Sequence, residues 1–428
     1  MIRFLFSALV TIFCLTFGMA ASGTSIEGQR KDPDMGRLNS RNTSLVVIDV
    51  QNYFIPGYPG AIAAAIPGQN EDRKLANVLS LVRAAKQNDM NMLVTYEASD
   101  KGIMAMPDGI KKEFPTVKCS QFIKAYFDIT KKTEVCAALE KAGTKNIVVC
   151  GAETDVCVMQ SVTGLIKKGY RVYLAEDAVY TSTTLNEPAL KRMQLAGANI
   201  VKTAEVIRAF ENSGQPNIEN KFKKMRIVPD LDADKVAVVI VNYDDESLER
   251  ISDPKKESKM VRMKYLNHYA EVLEIPVYYL YSDSVEQIKK GMHLSPQVNF
   301  LKIGRSFPES AKDLASSLKN KKISQAVVGG FDDDNVVQES TSALSSSGLE
   351  VHLMEDVYFK KGGTSDLREF DRLYHSGIVP SSFKMFVYDA DEGIQSILKP
   401  RWREMFRDKL DKKEIIWVDE LPFVKDSQ

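Results

Sequence analysis

The chain has 428 residues, with 57 basic and 57 acidic side chains and a formal net charge of zero. That length predicts two domains. The charge balance argues against nucleic acid or an anionic membrane surface as a partner. Hydrophobic residues at 44% and charged residues at 27% describe a globular chain with ample material for a core.

The first segment, MIRFLFSALVTIFCLTFGMAAS, has one Arg, an apolar run from Phe4 to Phe17 and then small residues. This layout predicts a secretory signal peptide over residues 1–21, cleaved after Ala20 or Ala21, and hence a secreted or periplasmic protein with no membrane contact after cleavage. The apolar run is shorter than the roughly 20 residues a membrane span needs. Residues 22–40 are polar and read as a flexible lead-in. Cleavage leaves Cys119, Cys136, Cys150 and Cys157, too few for a disulfide framework, although a Cys119–Cys136 bridge stays open.

From residue 41 onward, strand and helix patterns alternate. SLVVID reads as a buried strand ending at Asp49, and Leu75, Val78, Leu79 and Val82 mark a helix stripe. NMLVTY is the next strand, EVCAALEKAG a helix ended by Gly143, and NIVVCG a further strand. GAETDVC then places Cys157 at a strand-to-helix turn, ahead of a helix with Val158, Val162, Leu165 and Ile166 on one stripe. A helix N-terminus favours an anion, so a thiolate is at home there. A small apolar core residue is the plainer reading of any one free cysteine.

A polar linker over 213–232 separates this first domain, 41–212, from a second over 233–392, which is followed by a C-terminal arm, 393–428. The arm carries Trp402, Phe406, Ile415, Ile416 and Trp417 and is expected to pack on its own chain. The second domain repeats the first. Residues 146–180 align without a gap on 325–359 at an offset of 179, which carries Gly151 onto Gly330 and the Glu176–Asp177 pair onto Glu355–Asp356. The expected fold class is therefore α/β: tandem three-layer α/β/α domains, each with a mainly parallel Rossmann-like sheet. Ligands of such sheets sit beyond the carboxyl ends of the strands, where Asp49 and Cys157 both fall. In the second copy Val336 takes the place of Cys157, and Val241 is aligned with Asp49.

The four histidines are His268, His293, His352 and His375, so the first copy has none. That excludes a Cys–His pair and a histidine-rich metal site in this half. A base for Cys157 has to be a carboxylate or an amine.

LVVIDVQNYF, a lysine ahead of a helix, and VVCGAETDVCV together resemble the isochorismatase-like cysteine hydrolases, and among them the metal-free bacterial hydrolases of unassigned substrate. The resemblance covers roughly residues 42–205 and, in degenerate form, the second half. It implies Cys157 as nucleophile, Asp49 as general base and a lysine as third member of the triad. Lys124, which opens KAYFDITKKTEV, fits the family's lysine better than Lys118 in KCSQF, the competing position. It also implies a non-proline cis peptide at Ala152–Glu153, an oxyanion held by the N–H groups of Val156 and Cys157, and a pocket lined by Tyr53, Phe54, Glu97 and Phe127. The stretch TYEASDKGIMAMPDGIKKEFP lacks the histidines of the metal-binding branch, so no metal and no cofactor is expected.

The implied activity is hydrolysis of a small amide or related C–N bond through a covalent thioester. The competing reading is an inactive binding or scaffold protein, since one copy already lacks the polar set. The second copy is expected to serve as an intramolecular pseudo-dimer partner, with homo-oligomers left open.

Overall fold

The computed structural model describes residues 37–66, 70–99, 102–114, 118–183, 186–212, 214, 226, 228–242, 256–282, 284, 293–361, 367–391 and 404–406. The expected signal peptide, nearly all of the lead-in, most of the linker and most of the C-terminal arm lie outside them. Among the described residues no helix is long and apolar enough to cross a membrane.

The first domain runs β1 (Thr43–Ile48), α1 (Glu71–Gln87), β2 (Asn91–Tyr96), β3 (Cys119–Ile123), α2 (Thr133–Lys141), β4 (Asn146–Ala152), α3 (Met159–Lys167), β5 (Arg171–Tyr180), α4 (Asn186–Ala196), β6 (Asn199–Val201) and α5 (Thr203–Glu211). The second runs β7 (Val236–Val241), α6 (Lys256–Val272), β8 (Val277–Tyr281), β9 (Val298–Lys302), α7 (Phe307–Asn320), β10 (Gln325–Asp332), α8 (Val336–Ser346), β11 (Glu350–Lys360), α9 (Leu367–His375), β12 (Val379–Ser381) and α10 (Phe383–Asp391). Each forms a six-stranded sheet of the same order, β3-β2-β1-β4-β5-β6 and β9-β8-β7-β10-β11-β12. Every pairing within these two sheets is parallel.

The central strands β1 and β7 are buried at every residue, as expected where helices cover both faces of a parallel sheet. In both copies a glycine lets the next strand pass close by. Gly151 (φ 125°) and Gly330 (φ 135°) lie where a Cβ would stand 1.9 Å from the Ile48 carbonyl oxygen and 2.1 Å from that of Val241. No side chain fits at either place. The recurring Glu-Asp pair has a structural role too: Asp177 accepts the Thr203 N–H that starts α5, and Asp356 accepts the Phe383 N–H that starts α10.

The two copies pack through unlike faces. One apolar core runs without a break from Val135, Leu139, Val162 and Ala189 of the first copy to Met263, Tyr269, Phe383 and Phe386 of the second. The α2–α3–α4 side of one domain thus meets the α6–α10 side of the other. The opposite faces hold separate cores, with Val78, Leu81 and Phe210 in the first copy and Ala311, Leu314 and Leu344 in the second. The pseudo-dimer expected from the sequence is therefore head-to-tail rather than isologous. Of the C-terminal arm, Phe406 is buried and sets its edge against the stacked rings of His268 and His293.

Candidate active site

Three strand ends of the first sheet converge. Asp49 follows β1 in the left-handed region (φ 46°), which Asp and Asn tolerate better than most residues, and its N–H is bound by the Thr95 carbonyl. Lys124 follows β3, with its N–H on the Tyr96 carbonyl. Cys157 lies in a wide π-helical turn, Thr154–Val158, between β4 and α3. The Ala152–Glu153 peptide that leads into this turn is cis.

The side chains meet in a closed cluster. Lys124 Nζ lies 2.7 Å from Asp49 Oδ2, 3.1 Å from Glu97 Oε1 and 3.2 Å from Cys157 Sγ. The Sγ in turn stands 3.3 Å from Glu97 Oε1. Asp49 Oδ1 accepts the Thr95 hydroxyl at 2.8 Å. Cys157 is 3% exposed. Burial pushes its thiol well up, with Lys124 opposing. Burial also raises Glu97. For Lys124 burial acts downward, but Asp49, Cys157 and Glu97 outweigh it and hold the ammonium well above its ordinary range. The resting site is thus a thiol beside a firmly protonated lysine and two carboxyl groups. The donors of Asp49, Glu97 and Cys157 lie within 4.8 Å of one another, close enough for a metal ion, but the Lys124 ammonium stands among them.

Glu97 was expected only as a pocket residue; the structure places it at the sulfur. Its position directly after β2, across from Asp49, was the available signal. Lys118 is far from the cluster and pairs with Asp89 at the surface. The Val156 N–H, expected to face an oxyanion, donates to the Glu153 carbonyl at 3.1 Å in this structure. Tyr53 and Phe54 meet edge to face, and Phe127 sets its edge against Tyr388 of the second copy. Cys119 and Cys136 are free thiols, so the disulfide left open by the sequence is not formed.

Register identifies what the second copy has at each position. Ile48 pairs with Gly151 as Val241 pairs with Gly330, so the counterpart of Asp49 is Asn242 (φ 55°), one residue beyond the expected Val241. Tyr96 pairs with Ile123 as Tyr281 pairs with Lys302, so the counterpart of Lys124 is Ile303 and that of Glu97 is Ser282. Val336 stands for Cys157, and the second copy contains no cysteine.

Residues 43–205 match the isochorismatase domain model. The chain carries the isochorismatase-superfamily fold, twice over. A secreted isochorismatase effector of Phytophthora sojae, Isc1, is 29% identical over 195 residues, 45% of this chain and 88% of that protein. Nicotinamidase 3 of Arabidopsis thaliana is 26% identical over 213 residues, 45% of this chain and 98% of that protein. The solved structure of the Escherichia coli YcaC product, an octameric hydrolase of unknown specificity, superposes on 41% of this chain and 82% of its own at 22% identity, with a TM-score of 0.36. Within the isochorismatase-superfamily fold, the buried Cys–Lys–Asp cluster makes this chain a cysteine hydrolase, and the second copy lacks the set.

Proposed function

We propose that the first copy hydrolyses a small amide or related C–N bond with Cys157 as nucleophile, Asp49 as general base and Lys124 as the cation between them. The observation that carries this reading is the Lys124 ammonium, held 3.2 Å from Sγ and 2.7 Å from Asp49 Oδ2 in a cluster closed to water. A thiol raised by burial needs both a base to take its proton and a cation to stabilise the thiolate.

Asp49 takes the proton from Sγ, and the thiolate adds to the substrate carbonyl carbon, forming a C–S bond. The carbonyl electron pair moves to oxygen, and the Cys157 N–H donates a hydrogen bond to the oxyanion so formed. Collapse breaks the C–N bond, and Asp49 returns the proton to the leaving nitrogen. Water, deprotonated by Asp49, then adds to the thioester; collapse releases the acid and restores the thiol. The nucleophile's near-complete burial favours a small acyl group over a polymer.

A second reading of the proton acceptor rests on the 3.3 Å contact between Sγ and Glu97 Oε1. In it Glu97 takes the thiol proton and Asp49 anchors Lys124. The two readings separate on Asp49→Asn and Glu97→Gln, since the variant lacking the base loses the larger share of the rate.

The test is to incubate the protein with a panel of small amides and read covalent adducts by mass spectrometry. Acyl mass on the Cys157 peptide supports the proposal; hydrolysis that survives Cys157→Ala ends it. Export through residues 1–21 is a separate proposal, supported by their charge and apolar pattern. A mature N-terminus at Ala21 or Ser22 is the expected result, and an intact Met1 in exported protein contradicts it.

A further inference from the structure

The turn that presents Cys157 is built over two acids. Glu153 precedes it, and its carbonyl accepts the N–H groups of Val156 at 3.1 Å and Val158 at 3.0 Å. Asp155 lies inside it, with its oxygens on the Thr181 and Thr183 hydroxyls at 2.9 and 3.2 Å. Both carboxyl groups are buried. Two buried carboxylates two residues apart repel and are costly to ionise without a cation.

Among the described residues, the cation that reaches them comes from the other copy. Lys384 on α10 donates to Glu153 Oε1 at 2.8 Å and to the Ser182 hydroxyl at 2.8 Å, and lies 3.9 Å from Asp155 Oδ1. Ser182 N–H closes the ring on Glu153 Oε1 at 3.0 Å. Burial raises Glu153, but Lys384 and Ser182 outweigh it and hold the carboxyl below its usual range. Two further contacts bring α10 to the same place, Gln160 donating to the Tyr388 carbonyl and Arg192 to Asp389.

The arrangement is one-sided. Thr203 and Phe383 hold equivalent positions at the starts of α5 and α10, so the first copy has Ala204 where the second has Lys384. The counterpart of Glu153 is Asp332, which is served within its own copy by Val337 N–H, Gln338 and the Tyr358 hydroxyl. The half without the polar set is self-sufficient at this turn. The half with the cysteine is not.

We propose that Lys384 is a positioning residue of the first copy's active site. It clamps Glu153 and Asp155 under the Thr154–Val158 turn, so the second copy is required for Cys157 to be held in reactive geometry. This rests on the reading of Cys157 as the nucleophile.

The experiment uses the full chain and follows carbamidomethylation of Cys157 by iodoacetamide at neutral pH, peptide by peptide, beside size and melting temperature. The variants are Lys384→Met, Lys384→Arg, Glu153→Gln and the Lys384→Met/Glu153→Gln pair. Lys384→Met is expected to slow Cys157 labelling at least tenfold with the chain still folded, and Lys384→Arg to keep most of the rate. The double variant is expected to recover part of the loss, because the ammonium and the Glu153 carboxylate go together and only Asp155, held by the Thr181 and Thr183 hydroxyls, remains. A purely structural contact would shift the melting temperature and leave the Cys157 labelling rate of the folded chain unchanged. Wild-type labelling in Lys384→Met, or a double variant no faster than Lys384→Met, overturns the proposal. Should Lys384→Met fail to fold, Glu153→Gln reads the same clamp: it must slow labelling, and a wild-type rate there counts against the idea. A wild-type Cys157 no more reactive than Cys136 instead removes the nucleophile reading itself.

Discussion

Asp49 and Lys124 form an ion pair of 2.7 Å in which neither side chain touches solvent. Breaking such a pair from one side leaves a charge buried without compensation, at a cost of about 3–5 kcal/mol. Asp49→Asn and Lys124→Met are each expected to destabilise the protein on that order in denaturant titration, and to abolish most of the activity. The Asp49→Asn/Lys124→Met double variant is expected to be inactive but closer to wild-type stability than either single one. Strict additivity of the two losses would show that the charges are not coupled.

Cys157→Ala is expected to leave no hydrolysis. Loss of the general base is expected to reduce turnover by about 10²–10⁴-fold. Measured side by side, Asp49→Asn and Glu97→Gln assign that role, because the carboxylate that only orients Lys124 has the smaller effect on thiol alkylation.

Gly151→Ala and Gly330→Ala are expected to destabilise the fold to a similar degree, by at least about 2 kcal/mol each, because each new methyl meets a carbonyl oxygen of the neighbouring strand at positive φ. The equality matters: one glycine lies beside the cysteine turn and the other beside Val336. A mild Gly330→Ala effect in a thermal melt would mean that the second sheet is looser at this point than the first.

Glu355, in β11 of the second copy, is raised from 4.5 to about 7, chiefly by burial, with the Tyr374 hydroxyl opposing through its hydrogen bond. The folded protein therefore holds this proton more tightly than the unfolded chain does. Its stabilising share is complete below about pH 4.5 and is lost as pH rises through about 7. Glu355→Gln keeps an acceptor for Tyr374 and carries no charge, so stability above pH 7 is expected to rise by on the order of 1–3 kcal/mol. Denaturation curves at pH 5 and pH 8 check it, and an equal effect at both would show that Glu355 carries no such dependence.

Much of this architecture was readable in the residues. Alternating apolar runs and helix stripes announce two parallel sheets, and the constant offset from Gly151–Gly330 to Asp177–Asp356 announces the repeat, because both rest on local pattern. Matching the first strands of the copies failed by one residue. Their apolar stretches, LVVI and VAVVIV, differ in length, and register against β4 and β10 shows that Asn242 is the partner of Asp49. Register likewise shows that Ile303 answers Lys124. Lys384 was out of reach, since it acts across a domain boundary and 231 positions from Glu153. Nothing in FKMFVYDAD marks its lysine as pointing at another domain's turn.

Asn242 differs from Asp49 by an amide in place of a carboxylate, on the same left-handed backbone, and it shares its sheet edge with Ile303 and Val336. An aspartate returned to position 242 would face an aliphatic side chain rather than an ammonium, and a lysine returned to 303 would find no anion at 242. Each single reversion therefore introduces a half-buried charge whose counterpart is still missing. Only the simultaneous return of all members escapes that penalty. A charged site in the second copy is thus an all-or-none feature: each member is a liability until its partner is present, and the two halves of one chain can hold unequal tasks on one backbone.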